Sequence, residues 1–345
     1  MRLKLGLWYP IFGLIILLAV SVRSLPRLSA EHGTPCKTCH INPNGGGMRT
    51  EFGNHAVALQ ELCLPQTKAT FLERYKRPRL SESVIVGFDS RHLVFDDGRI
   101  FRMQSDAYLA VEPLKDFYYL MRLTERGIAE HYALLYFADE RFYVKAGRFN
   151  PAYGLHDADH KAYVRERIGY GSNVFLDGLS TGADLFGVSV AGELFNVNEQ
   201  AVSTLHLLKA GSVDPLGYLA GASVRFSEKV AGSTGAFPPT KAVFGGLSYD
   251  RLTLLGELDV TGTSNDTLIT YASLTTRLEY GLYLIGEYNF FDGDRHLETG
   301  VDEFLRVSLE LFPIPFVEFR PSYTYYTRGI LKDEQDFFVQ VHFGY

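Results

Sequence analysis

Residues 336–345 read Asp-Phe-Phe-Val-Gln-Val-His-Phe-Gly-Tyr. In an extended chain Phe337, Val339, Val341, Phe343 and Tyr345 share one side, leaving Phe338, Gln340, His342 and Gly344 on the other. Successive side chains of a strand point to opposite faces, so this stretch carries one apolar face and one mixed face. The same period of two runs backwards through the chain. Leu305, Val307, Leu309 and Leu311 alternate with Phe304, Arg306, Ser308 and Glu310. Val317, Phe319 and Tyr323 oppose Glu318, Arg320, Ser322 and Thr324, and Leu252, Leu254, Leu258 and Val260 oppose Thr253, Glu257 and Asp259. Long helical patterns are absent after residue 83.

A soluble β-sandwich would alternate too. Three features favour a membrane barrel. The segments run to ten or more residues, which suits a tilted transmembrane strand. Tyr and Phe gather near their ends, as interfacial girdles require, and the last residue is aromatic. Composition agrees: Tyr 21 and Phe 25 accompany a single Trp and 33 Gly, with 21% charged residues. A mean hydropathy of −0.03 excludes a helical membrane protein but suits strands whose two faces cancel. The net charge of −6 and the lack of a Lys/Arg block argue against a nucleic-acid partner.

The expected fold is therefore mainly β, a transmembrane antiparallel β-barrel over residues 76–345. Fifteen alternating segments are clear, and 202–209 supplies a sixteenth. Bacterial barrels of this type have even strand numbers, so sixteen strands are expected, with fourteen as the alternative. Tight turns at Pro313 and Tyr249–Arg251 would face the periplasm, and the longer Asp292–Thr299, Arg328–Glu334 and 150–179 connections would face outward. On the lumen side, Arg102, Arg122, Lys145, Arg277, Arg306 and Arg320 stand against Asp106, Glu257, Asp259, Glu279, Glu287, Glu310 and Glu318. Six against seven implies no strong ion selectivity, and a solvated wall accounts for most of them. In the 150–179 connection, His156 and His160 stand four apart with Asp157 and Asp159 between. They suit either a divalent-metal site or an ordinary inward-folding constriction loop.

Ahead of the barrel, Arg2 and Lys4 precede the apolar run Ile11–Val20, too short for a confident span. This reads as a signal peptide over 1–24, with an uncleaved anchor as the alternative. Residues 36–40 then read Cys-Lys-Thr-Cys-His. The spacing of Cys-x-x-Cys-His lets two thiols form thioethers with haem vinyl groups while the adjacent imidazole binds iron. The expected cofactor is one covalent haem c on Cys36 and Cys39, with His40 as the proximal ligand, in a monohaem segment over 25–75. A zinc site completed by His55 and Cys63 is the competing reading. For the distal position Met48 and His55 are the two candidates, and His32 is a third. Gly45-Gly-Gly47 would let backbone approach a flat macrocycle. The segment offers few large apolar residues, so it must lean on something larger.

The last ten residues resemble the C-terminal signature of bacterial outer-membrane proteins. The stretch Pro26-Arg-Leu-Ser-Ala-Glu-His-Gly-Thr-Pro-Cys-Lys-Thr-Cys-His40, with Phe52-Gly53 beyond it, resembles the fused monohaem cytochrome c–porin family, which includes outer-membrane iron oxidases. The spacer Asn42-Pro-Asn-Gly-Gly-Gly-Met48 departs from that of the iron oxidases. The resemblance implies an outer-membrane electron carrier, with the haem segment on the periplasmic side or in the lumen. It would exchange electrons between periplasmic c-type cytochromes and an extracellular partner, Fe(II) among the choices. The alternative is a diffusion porin, or the sheath of an electron conduit, with the haem segment as its plug. Visible spectroscopy of the oxidised protein separates the distal candidates: a thioether–iron charge-transfer band assigns Met48, and its absence favours histidine or an open site.

Overall fold

A computed structural model describes residues 26–65, 79–155, 162–171, 173–197, 200–227, 238–262, 266–297 and 300–344. The signal-peptide reading and the His156/His160 pair lie outside the described residues. One antiparallel sheet of seventeen strands forms the body, and its first strand, β1 (Arg79–Ser81), is a three-residue piece paired to the start of the next. The other sixteen close on themselves, as the parity argument expected. They are β2 (Val84–Phe95), β3 (Ile100–Leu114), β4 (Phe117–Thr124), β5 (Gly127–Phe137), β6 (Phe142–Phe149), β7 (Leu176–Leu185), β8 (Val188–Val197) and β9 (Gln200–Val213) in the first half. β10 (Leu216–Ser227), β11 (Thr240–Tyr249), β12 (Leu252–Thr261), β13 (Thr267–Glu279), β14 (Leu282–Asp292), β15 (Val301–Ile314), β16 (Val317–Arg328) and β17 (Gln335–Gly344) follow.

Each strand pairs with its sequence neighbour, and β17 closes on β2 from Phe338↔Phe95 to Gly344↔Asp89. The sixteenth strand is β9, which extends well beyond the 202–209 core legible in the sequence. Connections alternate in length around the ring. Short turns such as 214–215, 250–251 and 280–281 mark one end, and the long 150–175 connection marks the other.

The alternation sorts the side chains as expected. On β15, Leu305, Val307 and Leu309 are exposed while Phe304, Arg306, Ser308 and Glu310 are buried. Outward residues also line up between strands: Leu247, Leu254 and Leu274 lie side by side across β11, β12 and β13. All three are about half exposed, at 53%, 52% and 49%. A contiguous outer band of this kind is what hydrocarbon requires. Outward aromatics mark its edges, with Phe137 stacked on Phe142 and Tyr249 and Tyr280 at the short-turn end, and Phe101 and Phe226 at the other. No helix among the described residues is long and apolar enough to cross a membrane.

The lumen wall differs from the solvated surface expected. Lys145 and Asp259 are wholly buried, and Arg306, Glu287 and Glu310 nearly so. The physical cause is that two pieces of chain fill the interior. Residues 26–65 enter from the short-turn end, and the described parts of the 150–175 connection, 150–155 and 162–171, pack inward from the opposite end. Arg102, Arg277 and Glu279, also assigned to the lumen from the sequence, sit near strand ends beside Glu125, Asp250 and the 280–281 turn and stay partly or fully exposed.

Val307 occupies the middle of β15 on the outer band. Val307→Arg should lower barrel stability by about 2–4 kcal/mol, because an arginine at mid-bilayer depth must be desolvated or drag water inward. Denaturant titration of refolding into lipid bilayers reads this directly, with Phe101→Arg at the rim as the nearly neutral comparison.

Candidate functional site

The N-terminal segment begins with the helix Pro26–His32, whose Arg27, Leu28, Ser29 and Ala30 are buried. It packs along the short-turn ends of β9 to β12. Arg27 pairs with Glu310 of β15, with side chains 4% and 1% exposed, and its guanidinium lies 4.3 Å from the centre of the Tyr283 ring. Glu31 accepts a 3.1 Å hydrogen bond from Thr253 Oγ1. These contacts fasten the segment to the wall at the level where the cysteine motif follows.

The motif forms a compact 3₁₀ turn, Cys36–Thr38. The amides of Cys39 and His40 both donate to the Cys36 carbonyl, at 3.2 and 3.1 Å. The chain then turns back on itself. His40 pairs with Arg49 as an isolated bridge, the Ile41 amide donates to the Met48 carbonyl at 3.0 Å, and Asn42 Nδ2 donates to the Gly45 carbonyl at 2.8 Å. Gly45, Gly46 and Gly47 all take positive φ, at 83°, 75° and 64°, so the glycine run serves this reversal. Three consecutive left-handed residues are strained for any side chain larger than hydrogen.

Thr50 Oγ1 accepts from the Gly53 amide at 3.1 Å, and a π-helical segment runs from Gly53 to Glu61. A β-carbon at Gly53 would stand 2.4 Å from the Cys39 carbonyl oxygen. Phe52-Gly53 thus has a physical reason beyond resemblance: glycine lets this helix rest on the backbone of the cysteine motif.

Between the three elements lies a cavity of about 260 Å³. Cys36, Cys39 and His40 all contribute to its wall, together with His32, and Leu28, Val57 and Leu62 supply an apolar lining. His40 is 1% exposed, and its Nδ1 has no hydrogen-bond partner. Burial, with the Arg49 charge adding to it, pushes the His40 imidazole down to about 3. The ring is therefore neutral at any physiological pH, the form that binds a metal. Burial raises the Cys39 thiol against the opposing influence of Arg49. Two thiols and a neutral imidazole on one largely apolar cavity, whose wall also carries Arg49 and Glu61, fit a covalently attached haem, whose vinyl groups would meet Cys36 and Cys39 and whose iron would meet His40.

Other sequence candidates fall elsewhere. Met48 is 3% exposed and packs with Ile41, Ile85 and Tyr108 in a cluster against the barrel wall, away from the cavity lining. His55 lies in the Gly53–Glu61 helix, and its side chain is outside the described residues. Cys63 is buried just beyond that helix, off the cavity wall. Among the described residues no three His, Cys, Asp or Glu side chains gather as a metal cluster.

The fold behind this geometry has clear structural parallels. OmpT of Vibrio cholerae, described as outer-membrane expressed, superposes with a TM-score of 0.55 at 11% identity, over 78% of this chain and all of that one. OprB of Pseudomonas putida, in its low-pH structure, gives a TM-score of 0.55 at 9% identity, over 81% of this chain and 95% of that one. This is a porin-type barrel. No family model and no curated protein matches the sequence. At such identities the likeness concerns the fold alone.

Within that fold, the plugging segment and the inward loop meet on one side chain that sequence reasoning missed. Glu193 of β8 accepts from the Ala152 amide at 2.8 Å, from Thr204 Oγ1 at 2.9 Å and from Asn44 Nδ2 at 3.5 Å. Lys145 lies 4.0 Å away, wholly buried, and its ammonium sits 3.9 Å from the centre of the Phe149 ring. Inward parity with Ala191 and Phe195 was the available signal for Glu193. Further up the lumen, Tyr153 donates to Asp259, the Leu155 amide to Glu257 and Arg225 to the Ile168 carbonyl, so the loop is bonded on several sides.

Glu193→Ala removes the shared acceptor and leaves the Lys145 charge buried. Loss of one partner of a buried pair costs about 3–5 kcal/mol. Hydrogen exchange should therefore accelerate at amides of 41–48 and 150–155, while the strand amides of β12 to β17 keep their protection.

Proposed function

We propose that this chain is an outer-membrane electron-transfer protein carrying one covalent haem c inside a porin-like barrel. The observation that carries the reading is the convergence of Cys36, Cys39 and a buried His40 on one largely apolar cavity of the N-terminal segment. The bound haem would supply reversible one-electron iron chemistry. The chain's own residues hold and shield it: Cys36 and Cys39 anchor it, His40 ligates it, and the apolar lining favours the less charged state of the site.

The geometry also bears on partners. One macrocycle cannot bridge an apolar band about 25 Å tall. The cavity lies in the short-turn half of the barrel, which agrees with a periplasmic c-type cytochrome docking at that mouth. An extracellular donor or acceptor, Fe(II) included, would approach through the inward loop at the other. The outer membrane is the expected location, because the outward apolar band needs lipid.

A diffusion porin with a haem-bearing plug is the second reading, and the barrel fold favours it. The filled lumen favours electron transfer instead, since Glu193, Arg27 and the inward loop leave the plug bonded rather than loosely seated.

Three measurements test the proposal. Haem should remain with the polypeptide on a denaturing gel. His40→Ala should lose native iron ligation and electron transfer while keeping heat-modifiable migration, since β2 to β17 close without it. The intact protein should conduct poorly in planar bilayers, and a variant lacking residues 26–65 should open. Free conductance by the intact protein would favour the porin reading.

A further inference from the structure

The cavity holds a second imidazole beyond the one the cysteine motif accounts for. His32 ends the Pro26–His32 helix and stands on the same wall set as Cys36, Cys39 and His40. Its Nε2 lies 2.8 Å from Glu61 Oε2, at the end of the Gly53–Glu61 helix. Two of the three elements that bound the cavity are thereby joined at its edge. The helix bearing His32 is itself fixed to the barrel by Arg27–Glu310 and by Glu31–Thr253, so the imidazole is placed by the wall rather than by a free chain end.

We infer that His32 is the second axial ligand of the haem iron, giving a bis-histidine centre. The inference rests on the proposed haem and adds to it the identity of the ligand. Among the described side chains on the cavity wall, His32 is the imidazole besides His40, and no methionine is among them. Met48, the thioether candidate, is committed to the barrel-wall cluster with Ile85 and Tyr108. The Glu61 contact fits the role. A ligating histidine ordinarily gives its second ring nitrogen to a carboxylate or carbonyl, which fixes the ring and increases its basicity. With Nε2 held by Glu61, Nδ1 is the ring nitrogen left for iron. Two imidazoles also hold iron at a lower potential than an imidazole and a thioether.

The test uses full-length holoprotein and reads iron spin state by electron paramagnetic resonance and visible spectroscopy, with potential from a redox titration. His32→Ala should lose the low-spin signal, and added imidazole should restore it. His32→Met should stay low-spin, gain a thioether–iron charge-transfer band and shift to higher potential. Met48→Leu should change neither spectrum nor potential. Heat-modifiable migration identifies any variant that fails to form a barrel, and imidazole rescue and His32→Met provide independent readings. A His32→Ala protein with an unchanged low-spin spectrum overturns the inference, as does loss of that spectrum in Met48→Leu or His55→Ala alone. Wild-type protein without covalent haem overturns the underlying reading instead, and gel staining tells the two failures apart.

Discussion

Inside hydrocarbon no water is available to satisfy backbone amides and carbonyls, so every strand needs a bonded neighbour on both sides. The pairing of β17 with β2 meets that demand for the whole ring. Closure then fixes everything else. It forces alternate residues of sixteen strands inward, and it sets a girth that side chains alone do not fill. The interior must accept water, ligands or more chain. Here two further pieces of chain enter from opposite ends, and they turn a wall of charges into a packed interior.

That packing explains why so many lumen charges are buried. A charge taken from water is costly unless a partner and hydrogen bonds come with it. The segment 26–65 brings Arg27 to Glu310 and Asn44 to Glu193. The inward loop brings Tyr153 to Asp259 and backbone amides to Glu193 and Glu257. Plug and barrel thus specify each other: the wall would be poorly satisfied without the insert, and the insert is too small to hold itself together without the wall.

Much of this was legible in the chain. Period-two alternation revealed the strands, the outward and inward faces of β12, β15, β16 and β17, and the need for an even count. Cys36-Lys-Thr-Cys-His40 singled out three side chains through spacing alone, and the structure brings all three to one cavity wall. The placement of single polar residues was not legible. Glu193 lies in Val-Ala-Gly-Glu-Leu-Phe195, where parity points it inward but nothing announces the two loops that converge on it. Lumen charges looked solvated because sequence periodicity describes a wall and says nothing of what fills the space inside. Met48 and His32 were hard to rank for the same reason. Both lie within a dozen residues of the motif, and it takes the fold to show that Met48, after the reversal at Gly45–Gly47, meets the barrel wall while His32, at the end of the wall-bound helix, lines the cavity.

The depth of His40 sets an order of events. An imidazole 1% exposed inside a ring whose first and last strands have met is covered by the folded chain, whereas Cys36 and Cys39 stay partly exposed. On the proposed haem reading, iron therefore has to meet His40 before the segment settles against the wall, while the thiols are less constrained in time. A chain that closes without haem would keep an unligated imidazole inside.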